Sequence, residues 1–254
     1  EEKEEGLVRM CACCGTAGFA HVSCLMEQAK ILMDEVEKNN LSDRALEKRW
    51  ERWHKCGLCE QSYHGIVACA LGWACWRTYV GRPEDDETRG YAMTALGNGL
   101  FDALLYEDAL AVDEARFSMM KRIGASEEQL LDVQTNLACT YAALGRLDEA
   151  LSVRHDVYSA RLKLDGEEQI ETIIAANNYA VTLKNLEHFE EARSVLRKVV
   201  PAARRVLGES DSLTLKVGCI YGQALYRDAD ATLDDLREAV TIFEEIEPTA
   251  RRVM

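Results

Sequence analysis

The sequence predicts a mostly α-helical chain, in which a small cysteine-bearing finger precedes an α-solenoid of antiparallel helix pairs. Three observations predict it. Six of the ten cysteines crowd between Cys11 and Cys59. Ala, Leu, Glu and Arg are abundant, and only 3 prolines interrupt 254 residues, which favours helix. The third is a pattern: Asn136 to Ala150 returns 42 residues later as Asn178 to Ala192.

The bulk composition sets the classes of function. With 48% hydrophobic and 29% charged residues the chain can bury a real core and is not disordered. A formal charge of −14 argues against nucleic acid, whose phosphates need a surplus of Lys and Arg, and disfavours an anionic membrane surface. A basic peptide is compatible with it. The longest apolar run, Gly65 to Trp76, is too short to cross a bilayer and is closed by Arg77. No signal peptide is visible, and the first residue is Glu1, so the chain is expected to begin inside a longer reading frame. A cytoplasmic or nuclear location follows, where thiols stay reduced. Clustered cysteines there suggest metal, and the isolated Cys69, Cys75, Cys139 and Cys219 suggest small buried apolar residues.

In order along the chain, residues 1–63 come first. Cys11-Ala-Cys13-Cys14-Gly15-Thr-Ala-Gly18-Phe-Ala-His21-Val-Ser-Cys24-Leu25 is followed, after a helical insert, by Cys56-Gly-Leu-Cys59-Glu-Gln-Ser-Tyr63. Zinc takes four such ligands in a tetrahedron, so Cys11, Cys13, His21, Cys24, Cys56 and Cys59 amount to one and a half sites. Gly15 and Gly18 give the backbone freedom that tight ligand turns require. This arrangement resembles the RING-variant (RING-CH) finger, through its C-x-C pair, the Gly-Thr-x-Gly-Phe-x-His stretch, the following Cys-Leu and the final C-x-x-C with an aromatic four residues on. The resemblance implies a cross-brace, with Cys11, Cys13, Cys56 and Cys59 on one zinc. His21 and Cys24 are then half of a second site, completed by a pair before residue 1 or by His54, His64 or Cys14. A plant-homeodomain finger has a similar ligand order and a tryptophan, here Trp53, before its last pair, but a wider third pair.

Between the half-sites, Met26 to Lys55 reads as mostly helix, with Leu25, Ala29, Leu32, Met33 and Val36 on one face and a second stretch from Ser42. Trp50 and Trp53, three apart, share a face that packs the finger on its neighbour.

Residues 64–254 read as helical hairpins. Leu104 to Leu110 matches Gly145 to Leu151 at an offset of 41, and a weaker copy runs from Val217 to Val240 with about two extra residues at its turn. Ala138, Ala150, Ala180 and Ala192 mark close helix approaches, with Leu147 and Phe189 filling between them. Ser126-Glu-Glu-Gln129 is a capping box, Gly145 ends a helix, and Pro201 is expected to kink or end one near Val200. These features resemble tetratricopeptide repeats. The 42-residue period and Leu207-Gly208-Glu209-Ser-Asp211-Ser-Leu-Thr214-Leu215 resemble the kinesin-light-chain variety.

That resemblance implies that the first helix of each hairpin lines a groove for an extended peptide. The matching positions are Asn136, Asn177, Asn178, Lys184, Asn185, Gln223 and Arg227, whose amides suit a peptide backbone unless they only satisfy groups within the solenoid. The expected function is a zinc-binding interaction scaffold. The alternative is a ubiquitin-ligase component whose finger recruits a ubiquitin-conjugating enzyme, although Gln28 stands where that family has a tryptophan. Catalysis by the chain itself is not expected: there is no Gly-rich phosphate loop, and Glu84 to Glu87 reads as a solvated helix start.

Overall fold

A computed structural model of the protein describes residues 6–9, 11, 13 and 19–253, with side chains through Glu247. Cys14, Gly15 and Gly18 lie outside these residues. Among the described residues there are eleven α-helices, and the chain forms two compact units, Glu1–Ser126 and Glu127–Met254. The first unit therefore joins the cysteine-bearing segment to three helices that the repeat pattern alone assigns elsewhere.

In the first unit, α1 (Val22–Lys38) and α2 (Asp43–Trp50) make the insert, followed by a 3₁₀ turn at Glu51–Trp53. The expected apolar face is the buried one, with Ala29, Met33 and Val36 inside. Trp53 is buried among Ala29, Ala74, Cys75, Tyr79 and Ala92, and Trp50 packs at the edge of the same cluster. Both tryptophans thus join the insert to α3 (Gly65–Tyr79) and α4 (Glu87–Asp102). Helices α3 and α4 approach backbone to backbone at Gly72 and Gly99, and α5 (Tyr106–Arg122) packs on α4. The carboxylate of Asp86 accepts the Thr88 amide at 2.9 Å and caps α4. Cys75 is fully buried, and burial pushes its thiol up, as suits a small apolar filler.

The second unit is six helices: α6 (Glu127–Ala143), α7 (Leu147–Asp165), α8 (Ile170–Asn185), α9 (Phe189–Leu207), α10 (Ser212–Arg227) and α11 (Leu233–Val253). Each packs on the next, and α8 also packs on α10. Ala138, Ala150, Ala180 and Ala192 are all fully buried at the helix approaches, as their recurrence predicts. The core centres on Ile173, Ala176, Leu196, Val217, Tyr221 and Leu225.

The repeat is sharper in the backbone than in the sequence. Within hairpins the chain turns at Leu104, Gly145 and Glu187, all left-handed, with φ of +63°, +75° and +63°. After hairpins it turns at Gly124, Gly166 and Gly208, again left-handed and spaced 42 residues apart. Gly166 and Gly208 combine φ of +85° and +88° with ψ of 177° and 162°, a region essentially reserved for glycine. Two side-chain bonds repeat as well: Thr172 donates to the Arg161 carbonyl, and Thr214 donates to the Ala203 carbonyl 42 residues on. Each ties the first turn of one hairpin to the last turns of the hairpin before it.

Leu104 and Glu187 occupy a conformation that costs an L-residue about 1–2 kcal/mol. Leu104→Gly and Glu187→Gly are therefore expected to stabilise the protein by about 0.5–1 kcal/mol each, after the entropy glycine adds to the unfolded chain. Urea unfolding checks this, and a loss of stability in both variants would overturn it.

Of the two outcomes expected at Pro201, a kink or an end, the end does not occur: α9 runs on to Leu207. Pro201 lies on the exposed side of α9, while Leu196, Val199, Val200, Ala202 and Ala203 anchor both flanks in the core. Tertiary burial here outweighs the one backbone hydrogen bond that proline removes.

The final connection carries the two extra residues expected of it. Thr232 and Asp235 form a capping box at the start of α11: the hydroxyl accepts the Asp235 amide at 3.1 Å, and the carboxylate accepts the Thr232 amide at 2.9 Å. Arg193 on α9 reaches Asp228 at 2.8 Å and Asp235 at 3.4 Å, clamping the longer turn from both sides.

Candidate metal centre and repeat groove

The four sulfurs of Cys11, Cys13, Cys56 and Cys59 lie within 4.8 Å of one another. Ligands 2.3 Å from a tetrahedral zinc stand about 3.8 Å apart, and the Cys13 and Cys56 sulfurs are separated by 3.7 Å. The C-x-x-C side is a tight turn. The Cys56 amide donates to the Gln61 carbonyl at 2.9 Å, the Glu60 amide donates to the Cys56 carbonyl at 3.0 Å, and Glu60 is left-handed. Val8 and Ala20 exchange backbone hydrogen bonds at 2.8 and 3.1 Å across the C-x-C side. Below the sulfurs, Tyr63, Val67 and Leu71 form an apolar floor.

The electrostatics suit one shared negative charge in the absence of a cation. At Cys56 burial opposes ionisation, but the Cys59 and Leu58 amides and the neighbouring thiols bring its pKa down to about 6. Cys13 is pushed up to about 12, first by its hydrogen bond with Cys59 and then by burial. At Cys11 the Cys13 amide favours the thiolate, but burial and the thiols of Cys56 and Cys59 outweigh it, and the pKa ends raised. Thiols that donate to a neighbouring thiolate can exchange their protons for a soft divalent cation, which binds all four as thiolates.

His21 and Cys24 stand apart from this group. His21 occupies the N-cap position of α1, and its Nδ1 lies 3.9 Å from the exposed Cys24 sulfur. Such a pair spans one edge of a tetrahedral site, where about 3.6 Å is expected. Neither His54 nor His64 joins a metal-ligand cluster among the described residues.

The groove candidates lie on the first helices of their hairpins: Asn136 on α6, Asn177, Asn178, Lys184 and Asn185 on α8, Gln223 and Arg227 on α10. Lys184 donates to the Gln223 side chain at 3.2 Å and joins α8 to α10. Asn136 and Asn178 are half-buried, and the side-chain oxygen of Asn177 is buried without a partner among the described residues. Two arginines escape sequence reading. Arg154 crosses from α7 to the Asn178 carbonyl at 3.0 Å and also reaches Thr182 and the Cys139 sulfur. Arg161, almost fully buried, pairs with Asp132 at 2.7 Å and Asp165 at 3.3 Å. On a helix pattern both look like solvated charges, and only the partner helix makes them structural.

A family model described as tetratricopeptide repeat matches residues 129–205, the stretch in which the sequence repeat is plainest. Among solved structures, a Podosopora anserina kinesin light chain-like protein of nearly identical TPR-like repeats is similar over 92% of this chain and 97% of its own. Its identity is 17% and its TM-score 0.59. BtubC (BKLC) from P. vanneervenii matches 92% of this chain and 76% of its own, at 15% identity and TM-score 0.57. Bacillus thuringiensis PlcR, solved with the peptide PapR7 and DNA, matches 91% and 72%, at 14% identity and TM-score 0.53. No curated protein is a significant match. The fold is thus that of a helical-repeat protein. More particularly, residues 129–205 are tetratricopeptide repeats, and structures of the kinesin-light-chain variety share the fold of the chain.

Proposed function

We propose that the protein is a peptide-binding scaffold. A zinc ion on Cys11, Cys13, Cys56 and Cys59 staples its first unit, and the repeats of its second unit hold an extended segment of a partner. The observation that carries the groove is the set of amides on α6 and α8. Asn136 and Asn178 are half-buried on these helices, and the Asn177 oxygen is buried without a partner among the described residues. Buried amide groups without partners are costly, and a peptide backbone supplies both donors and acceptors. PlcR, similar in fold, was solved holding a peptide. The charge of −14 favours a basic segment.

A display screen for bound peptides, followed by variants, tests this reading. Asn178→Ala and Gln223→Ala are expected to weaken a selected peptide about tenfold each, the effect of losing one well-made hydrogen bond. Arg205→Ala, which removes an exposed pair with Glu168, leaves binding unchanged. Equal loss in all three variants would place the peptide elsewhere.

A second reading is favoured by His21 and Cys24, whose spacing makes half of a further zinc site. In it the finger takes two zincs, recruits a ubiquitin-conjugating enzyme, and the repeats select the substrate. Discharge of ubiquitin from a panel of charged conjugating enzymes tests it, and no acceleration by the protein would exclude it.

A further inference from the structure

Apart from the metal centre and the groove, the first unit contains a cavity of about 240 Å³ between the finger segment and α4. This is slightly below the roughly 300–1,000 Å³ of sites for drug-sized ligands, and suits a head group or the end of a side chain. Its wall is unusual in composition. Trp50, Trp53, Tyr63 and Tyr91 border it, and Asn98 and Asp102 lie one turn apart on α4 beside them.

The two outer aromatics are reachable. The Trp50 and Tyr91 ring centroids are 5.7 Å apart, with their planes inclined at 57°, so the two rings meet at an angle beside the cavity. Trp50 is half-buried, and Tyr91 is 43% exposed. Trp53 and Tyr63 are buried deeper and are held by the insert core and the apolar floor under the cysteines. Asp102 lies about three helical turns along α4 from Tyr91, at the far end of the cavity, whereas Glu47 and Glu87 near Tyr91 are exposed. The charges facing Tyr91 are Glu87, Glu47 and Arg116, so negative groups outnumber positive ones there.

Aromatic faces carry negative electrostatic potential, and several of them around one small space attract a cation. They do not replace the hydration shell of a compact ammonium. A methylated ammonium holds water weakly and offers apolar methyl groups, so it gains the burial as well as the charge. We propose that this cavity binds a tertiary or quaternary alkylammonium group at its outer end, with Trp50 and Tyr91 against its methyl groups and Glu47 and Glu87, the carboxylates nearest Tyr91, balancing its charge. The group arrives as a free small molecule or on the end of a methylated lysine side chain.

The test uses the full chain loaded with zinc, with Trp50 as the reporter. Choline chloride is expected to quench tryptophan fluorescence saturably. Ethanolamine and the uncharged isostere 3,3-dimethylbutan-1-ol are expected to bind at least tenfold more weakly. Tyr91→Ala and Glu47→Gln alter exposed side chains, and each is expected to weaken choline about five- to tenfold, with far-UV circular dichroism unchanged. A short peptide carrying trimethyllysine is titrated in parallel. Tighter binding of the peptide identifies a modified protein tail as the source, and tighter binding of choline identifies a small molecule. Equal binding of choline and its uncharged isostere would make the cavity merely apolar and overturn the proposal. So would the absence of saturable quenching, or choline affinity unchanged in both variants.

Discussion

Serine at both Cys56 and Cys59 is expected to abolish zinc binding at the four-sulfur centre and to unfold the finger segment. Structural zinc contributes about 10–16 kcal/mol in small finger peptides, more than the whole stability of many domains. The apolar floor of Tyr63, Val67 and Leu71 is too small to compensate. Native mass spectrometry should therefore count a zinc in the parent chain that is missing from the variant. A chelator should lower the melting temperature of the first unit while a peptide selected on the repeats still binds. Melting unchanged by the chelator would end the staple reading. Acidity gives a second handle. Cys13, held up to about 12, and Cys11, also raised, carry protons at neutral pH that zinc must displace. Apparent affinity should therefore rise with pH through the neutral range and fall on acidification. Calorimetry in buffers of differing ionisation enthalpy measures the released protons, and a pH-independent affinity would contradict the thiolate set.

The second large effect is expected at the crossing of α3 and α4. A methyl group placed on Gly72 would sit 2.6 Å from the Ala95 carbonyl oxygen, and one on Gly99 would sit 2.6 Å from the Ala68 carbonyl oxygen. Both obstacles are backbone, so no side chain can swing aside. Gly72→Ala and Gly99→Ala should each cost about 2 kcal/mol net, with overpacking near the upper end of its usual range against about 1 kcal/mol of gained helix propensity. The double variant should lose less than the sum, because the first methyl already opens the crossing. Gly90→Ala in the same helix meets nothing within 4 Å and is expected to stabilise instead. Denaturant unfolding of the three variants decides it, and a Gly99→Ala protein as stable as its parent would refute the close approach.

The sequence carries the hairpins well because each one repeats the same physical problem. Alanines 138, 150, 180 and 192 recur where backbones must approach, and a recurring small residue is visible without coordinates. Gly72 and Gly99 solve the same problem once, inside an apolar run where glycine reads only as a weak helix former. Spacing alone gave the six candidate ligands, and their partition came only through the resemblance to the RING-variant finger. That Cys11 and Cys13 share a centre with Cys56 and Cys59 depends on a fold that brings together residues more than 40 positions apart. Pro201 shows the opposite limit. Local stereochemistry predicts a break, and buried neighbours on both sides override it. Arg161 is illegible for a related reason: its carboxylate partners sit on its own helix and on α6, and only one of them is near in sequence. The aromatic cavity is likewise built from residues 50 to 102, which carry no common motif.

The glycines at 124, 166 and 208 give the chain natural seams. Each seam turns at a glycine of positive φ and lies the same distance from the next, so a segment copied from one seam to another would arrive in register. Because helical repeats make most of their contacts with immediate neighbours, such a copy needs only a matching face on either side. Unequal crossover between gene copies could therefore lengthen or shorten the array by whole periods. A gain or loss of one or two codons inside a helix would instead turn the rest of that helix's face away from its partner, whereas the connections tolerate it. The last hairpin carries its longer turn without losing the packing of α11 on α10, and Arg193 holds that turn at both ends.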